Sequence, residues 1–239
     1  CGAEFVRLET LQRFSELFKR GGFRKESFFP GYGSAECTLY ATAIRKSSEL
    51  SVMKKSEFDD ISTSAEYYID FTTDVCGVGS CGEKHRVSIV CVDRMLLLED
   101  MKIGEIWLQG PSVAQGYWRN EVATKETFQA YTADDQGPFL RTGDLGFMKD
   151  GELYVVGRLK DMIIIRGKNY APHDIELSVE AAHQGVRKGC VAAFGFEEQG
   201  IEKLGVVCEV KRTFVKKDHD EIIQTIIENI RRENELSVS

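Results

Sequence analysis

The chain predicts a mixed α/β (α+β) fold in two parts, a larger β-rich part over residues 1–159 and a small α/β domain over 160–239. Three observations carry that expectation. The runs "RVSIVCV" and "GEIWLQG" read as strands, and further on Asp150-Gly151 separates two more strand-like stretches; Asp-Gly between such stretches is a strong hairpin signal. After Gly157 the texture changes to "DMIIIRG", a helical "PHDIELSVEAAHQ", the runs "GCVAAFGF" and "KLGVVCEV", and a last helix, a β-α-β-β-α order. Finally, 239 residues with 42% hydrophobic and 29% charged side chains are ordinary for a globular chain with one large piece and one small domain.

Taken in order, Leu8, Leu11, Phe14, Leu17 and Phe18 recur at helical spacing and Gly21-Gly22 follows, so residues 8–20 are expected to form an amphipathic helix with a glycine stop. "SFFPGYGSAECTLYATAI" reads as an apolar strand start, a turn through Pro30-Gly31 and Gly33, and a resumed element. Residues 45–84 sustain neither period and read as an inserted, partly extended loop region. Beyond "GEIWLQG" come a loop with Gly116-Tyr117-Trp118, a helix from Ala123 to Phe128, and the Asp150-Gly151 hairpin. The domain boundary is expected at 158–161. In the small domain Pro172 fits the first turn of a helix, and Ile222, Ile223, Ile226, Ile227 and Ile230 form one apolar face of the last.

Composition excludes several classes. A formal charge of −7 argues against a nucleic-acid surface, which needs clustered Lys and Arg. It leaves nucleotide binding open, because backbone amides and one or two cations suffice for a phosphate. No apolar run has the length of a transmembrane span, and the start "CGAEFVRLET" lacks the marks of a signal peptide, so a cytoplasmic setting is expected. The seven cysteines at 1, 37, 76, 81, 91, 190 and 208 sit in contexts such as "SIVCV", which predicts buried free thiols. Cys76 and Cys81 lack the further ligands a zinc site needs. The opening on Cys-Gly without an initiator Met, and the end "RRENELSVS", read as a piece of something longer.

The candidate chemistry lies in turns. In "GYGSAE", Gly31 and Gly33 flank Tyr32, so the backbone can turn tightly and offer a flat ring to a planar base, with Glu36 a few residues on for a divalent cation. From this stretch alone the residues favour a plain β-turn with a core tyrosine and a surface Glu. Asp144 in "RTGD" can accept two hydrogen bonds at once, as the paired hydroxyls of a ribose require, or close an ordinary Asx-turn. Arg158 can reach the same sugar or phosphate, or pair with Asp161.

The order of these segments says more than any one of them. "GAE" at 2–4, "GYGSAE" at 31–36, "GEIWLQGPSVAQGYW", "RTGD" and "GRLKDMIIIRGKN" together resemble the adenylate-forming superfamily of acyl- and aryl-CoA synthetases, luciferases and peptide-synthetase adenylation domains, over nearly the whole chain. The wording "PFLRTGDLGFMKDGELYVVGRLKDMIIIRGKNYAPHDIE" looks most like the fatty acyl-AMP ligases. The resemblance implies that residues 1–159 are the C-terminal part of the large AMP-binding domain and 160–239 an incomplete lid domain, with the hinge at Lys160. It implies that Gly2, Ala3 and Glu4 line an adenine pocket, Tyr32 stacks on adenine, and Gly31, Gly33, Ser34 and Ala35 surround base and phosphate. Glu36 would serve Mg2+, Asp144 the ribose, and Arg158 the ribose or phosphate. The implied activity is activation of a fatty acid by ATP as its adenylate, for transfer to an acyl carrier protein or a polyketide or peptide synthase module. Two family motifs, a Ser/Thr/Gly-rich phosphate loop and a late lysine in a Ser-Gly-Lys context, are absent from these 239 residues, so the piece alone is not expected to adenylate. The rivals are a long-chain acyl-CoA synthetase, which shares the nucleotide motifs, and a non-catalytic nucleotide- or acyl-binding module. Residues 45–84 bear on the first, since in the ligases a segment inserted here is associated with loss of CoA transfer.

Overall fold

A computed structural model describes residues 2, 5–44, 49–58, 69, 73–215 and 219–238. The chain divides into two compact units, one of residues 1–67 and 74–159, the other of 68–73 and 160–239.

In the first unit, α1 (Leu8–Phe18) runs into a 3-10 turn at Lys19–Gly21 and stops at Gly22, whose φ of 84° is left-handed. Its apolar stripe is only partly covered: Leu11 is buried, but Phe14, Leu17 and Phe18 are exposed. The Phe14 ring instead meets Phe18, Phe23 and Phe28 at centroid distances of 4.5, 5.1 and 6.0 Å, so helix and following loop share a local aromatic cluster. The expected strand start at "SFF" is not one. Ser27 closes a short 3-10 turn, and the first strand, β1 (Gly31–Tyr32), begins only after Pro30. It pairs with β2 (Thr42–Ala43).

Residues 45–84 are more ordered than their texture implies. Within them β3 (Val52–Met53) pairs with β4 (Val75–Cys76), and β5 (Ser80–Cys81) joins β2 in a three-stranded sheet. These strands are two residues long, too short for an alternating pattern to register. The remainder of that segment lies partly outside the described residues.

The unit is organised by an antiparallel sheet of β6 (Arg86–Val90), β7 (Gly104–Gln109), β8 (Leu140–Lys149) and β9 (Glu152–Arg158), in that order. Ile106, Trp107, Leu140, Leu145, Phe147 and Leu153 are fully buried, and the Phe147 and Tyr154 rings stack at 5.0 Å. The β8–β9 turn holds Asp150 at φ 53° and Gly151 at φ 77°, the left-handed pair a tight hairpin needs. Between β7 and β8, α2 (Glu121–Phe128) starts two residues earlier than its apolar pattern implies, because the Asn120 side chain caps it by accepting the Ala123 N–H at 3.1 Å.

The second unit has one hairpin more than expected. The segment "DMIIIRGKN" folds back on itself as β10 (Ile163–Ile165) and β11 (Lys168–Tyr170), with Arg166 at φ 52° and Gly167 at φ 75° in the turn. α3 (Pro172–Ala182) follows with Pro172 in its first turn, then the hairpin β12 (Val186–Glu198) and β13 (Ile201–Val210), then α4 (Asp220–Asn234). Ile163, Ile175, Val179, Val186, Leu204, Ile222, Ile226 and Ile230 pack into one core. The apolar face of α4 is narrower than the sequence implies: Ile222, Ile226 and Ile230 are buried, while Ile223 is 48% exposed. Ile230→Ala should therefore cost about 2 to 5 kcal/mol of unfolding free energy and Ile223→Ala under about 1 kcal/mol in urea titrations, since only the first opens a cavity. Equal losses would contradict this packing.

Among the described cysteines, Cys37, Cys76 and Cys91 are buried, but Cys81, Cys190 and Cys208 are half-exposed, which corrects the expectation of uniform burial. None of these six is in a disulfide, and burial pushes the Cys76 thiol up to about 11. Among the described residues no helix is long and apolar enough to cross a membrane.

Candidate functional site

The Thr-Gly-Asp segment is a bulge in a central strand. Along β7 and β8, Trp107 lies opposite Arg141 and Glu105 opposite Leu145, so Ile106 alone faces Thr142, Gly143 and Asp144. Such an excess leaves backbone groups off the ladder, and each buried one needs another partner. The Thr142 hydroxyl donates to the Ile106 carbonyl at 2.7 Å and accepts the Asp144 N–H at 3.0 Å. The Gly143 N–H donates to Glu105 Oε1 at 3.1 Å, with Gly143 at a left-handed φ of 71°. Glu105 is in turn held by Arg141, whose Nε and Nη2 donate to Oε2 at 3.0 and 2.8 Å.

On the other side of β8, Asp144 is the register partner of Arg158 at the end of β9. Arg158 Nε donates to Asp144 Oδ1 at 2.9 Å, and the Tyr32 hydroxyl donates to Oδ2 at 2.6 Å. The side chain of Asp144 thus meets residues 14 and 112 positions away, and the local turn contact belongs to Thr142. Each carboxylate oxygen carries two lone pairs, so one remains on each for a further donor. Burial, reinforced by the Asp144 charge and its hydrogen bond, raises the Tyr32 hydroxyl well above its ordinary value, with Thr142 opposing, so it stays protonated as a donor at neutral pH.

The turn that carries Tyr32 depends on Gly33. A Cβ there would lie 1.7 Å from the Leu39 carbonyl oxygen, closer than any side chain can approach. Ala35–Cys37 then form a 3-10 turn, with the Ser34 N–H donating to Cys37 Sγ at 3.2 Å. The "GPSVAQGYW" loop brackets it: the Ala114 N–H donates to the Glu36 carbonyl at 2.8 Å, the Thr38 hydroxyl to the Ser112 carbonyl at 2.7 Å, and the Tyr117 hydroxyl to Glu36 Oε1 at 2.9 Å. Burial works against the Glu36 anion, but its own backbone N–H, Tyr117, Ser34 and the charge of Arg158 outweigh burial and hold its carboxyl below the ordinary value. Glu36 opens onto a cleft of about 320 Å³ that Ser34, Tyr117, Arg141, Thr142 and Gly143 also line.

Tyr32, Glu36, Asp144 and Arg158 are thereby brought together, and a Cβ on Gly2 would lie 3.0 Å from the Gly31 carbonyl oxygen, which sets that residue beside the same turn. Ala3 and Glu4 lie outside the described residues. Lys160 is exposed in a 3-10 turn, Leu159–Asp161, between β9 and β10. Tyr117, Thr142, Glu105 and Arg141 were not marked as site residues by the sequence reading. Glu105 was the findable one, an acid inside the otherwise apolar strand "GEIWLQ"; Tyr117 carried no signal beyond its loop.

No family model matches the chain. Relatives and solved structures do, and by both the chain is similar to ligases that activate fatty acids. The relatives it resembles are named as fatty-acid–[acyl-carrier-protein], fatty-acid–CoA and fatty-acid–AMP ligases. It is 40% identical over 246 residues, 99% of this chain and 41% of the relative, to the medium-chain-fatty-acid–[acyl-carrier-protein] ligase JamA of Moorena producens. It is also 37% identical to fadD21 of Mycobacterium leprae, named for fatty-acid–CoA ligation, over 88% of this chain and 37% of that one. A structure from a study of fatty acyl-adenylate ligases from E. coli and L. pneumophila superposes on 100% of the chain with a TM-score of 0.80 and 28% identity, this chain covering 41% of it. The L. pneumophila fatty acyl-adenylate ligase solved with acyl adenylate and pyrophosphate matches 99% of the chain at 38% identity and a TM-score of 0.60, with 42% of its own length covered. The chain spans about two fifths of the length of these proteins.

Proposed function

We propose that the full-length protein carrying this chain is a fatty acyl-AMP ligase. A fatty-acid carboxylate attacks the α-phosphate of ATP, pyrophosphate leaves, and the acyl group of the adenylate passes to an acyl carrier protein or a polyketide or peptide synthase module in the cytoplasm. The observation that carries this reading is the Tyr32–Asp144–Arg158 cluster: a carboxylate fixed by two donors, with one acceptor position left on each oxygen, suits the two hydroxyls of a ribose. Around it, Gly2, Gly31 to Ala35 and the Tyr32 ring take the base, as do Ala3 and Glu4 by resemblance. Arg158 serves ribose or phosphate.

A Mg2+ that rides on nucleotide phosphates needs only one or two protein carboxylates, and Glu36, held ionised at the edge of a cleft, meets that need. When bound, the ion would neutralise charge on the phosphates. No group of three His, Cys, Asp or Glu side chains is placed for an all-protein metal cage among the described residues.

Residues 1–159 are proposed as the C-terminal portion of the large AMP-binding domain, 160–239 as the lid domain, and Lys160 as the hinge between half-reactions. It is exposed in a 3-10 turn between two strands, the kind of element-terminal position at which hinge residues absorb a change of φ and ψ. Pro fixes φ near about −65° and deletes the N–H. Lys160→Pro should slow one half-reaction on the order of tenfold or more and spare the other, with Lys160→Ala mild in both. Equal losses in a folded Lys160→Pro, or abolished adenylation in Lys160→Ala, would make Lys160 a substrate contact instead.

A second reading, acyl-CoA synthesis, is favoured by the naming of fadD21. Fatty-acid-dependent exchange of labelled pyrophosphate into ATP by the full-length protein tests the reaction class. Its absence with every chain length would leave a non-catalytic nucleotide- or acyl-binding module.

A further inference from the structure

Glu105 sits in the middle of the sheet, 2% exposed, in a strand whose residues from Gly104 to Leu108 are all buried. Burying a carboxylate is costly unless it is paired and its lone pairs are used. Arg141 supplies the pairing, through two donors at 2.8 to 3.3 Å. One further hydrogen bond is not needed for neutrality: Oε1 also accepts the Gly143 N–H at 3.1 Å. That N–H lies in the bulge opposite Ile106, whose carbonyl accepts the Thr142 hydroxyl, and its own acceptor is Glu105. Glu105 is therefore the group that fixes the Thr142–Gly143 peptide, one step before the Gly143–Asp144 peptide whose N–H goes to Thr142, and a charged acceptor fixes it more firmly than a neutral one.

We propose that Glu105 is a positioning residue for the nucleotide site: by accepting the Gly143 N–H it sets the bulge that aims Asp144 at the ribose, with Arg141 as the ion-pair partner that orients its carboxylate. This rests on the reading of Asp144 as the ribose acceptor. Glu105, 2% exposed at the wall of the Glu36 cleft, acts in this proposal through Gly143. A merely structural ion pair, by contrast, could be exchanged for apolar side chains of similar size with no consequence for the nucleotide, as buried pairs often can.

The test uses the full-length enzyme and two double variants without the ion pair. Glu105→Leu with Arg141→Met removes both charges and the acceptor; Glu105→Gln with Arg141→Met removes the charges but keeps an amide oxygen for Gly143. The readouts are the KM for ATP, the KM ratio of 2′-deoxy-ATP to ATP, and Tm. The Leu/Met pair should raise the KM for ATP on the order of tenfold and pull the ratio toward one, as loss of an oriented hydrogen bond does. The Gln/Met pair should recover most of both at a similar Tm. Wild-type KM and ratio in a folded Leu/Met pair, or equal losses in both pairs, would overturn the positioning role. Asp144→Asn run alongside separates the two claims. If it leaves the ratio at the wild-type value, the ribose assignment fails and the positioning role falls with it; if it collapses the ratio while the Leu/Met pair does not, only the role of Glu105 fails.

Discussion

Asp144→Ala in the full-length protein is expected to raise the KM for ATP by at least about 30-fold, with the fold intact. Asp144 is 9% exposed, and the two ribose hydroxyls assigned to it would lose about 1 to 3 kcal/mol each when left unpaired. The same change strips Tyr32 and Arg158 of their shared acceptor. The signature that separates binding from folding is a cycle with 2′-deoxy-ATP. Wild-type enzyme should discriminate against it, and Asp144→Ala should treat the two nucleotides nearly alike. Unchanged KM and kcat would remove Asp144 from the site, and a large fall in Tm with discrimination retained would give it a role in the fold only.

Glu36→Gln should lower kcat for adenylate formation on the order of 100-fold, because the charge facing the phosphates is lost while shape and the Tyr117 contact are kept. The pH dependence carries a sign. The Glu36 carboxyl is held below its ordinary value, so the anion is fully present above the ordinary glutamate range and is lost only as pH falls through the lower folded value. A wild-type activity limb between about pH 5 and 8 therefore cannot be Glu36 taking up a proton, and Glu36→Gln should leave such a limb where it is. A limb near neutrality that vanishes in Glu36→Gln would contradict this electrostatic account.

The sequence made some of this legible for definite reasons. Asp150-Gly151 was readable because a tight hairpin needs two left-handed residues in succession, and few pairs supply them. The two site acids could be marked because Asp144 and Glu36 follow glycine-bearing segments, Thr-Gly-Asp and Gly-Tyr-Gly, that single them out. What tied them together could not be read. The Tyr32–Asp144 bond spans 112 positions, and the bulge exists only as a register difference between two strands. Arg166-Gly167 forms the same kind of left-handed turn as Asp150-Gly151, yet the hairpin it closes was read as one strand because each arm has only three residues. In the last helix, Ile223 counted with the apolar face by spacing, although only Ile222, Ile226 and Ile230 meet the core.

The most direct test of the central claim is product analysis by mass spectrometry with the full-length protein, a fatty acid, ATP and Mg2+, offering CoA and a phosphopantetheinylated acyl carrier protein as acceptors in the same tube. Acyl-AMP formation, acyl-carrier protein as the transfer product and no appreciable acyl-CoA are the expected result. Robust acyl-CoA, or no acyl-AMP with any chain length, would contradict it.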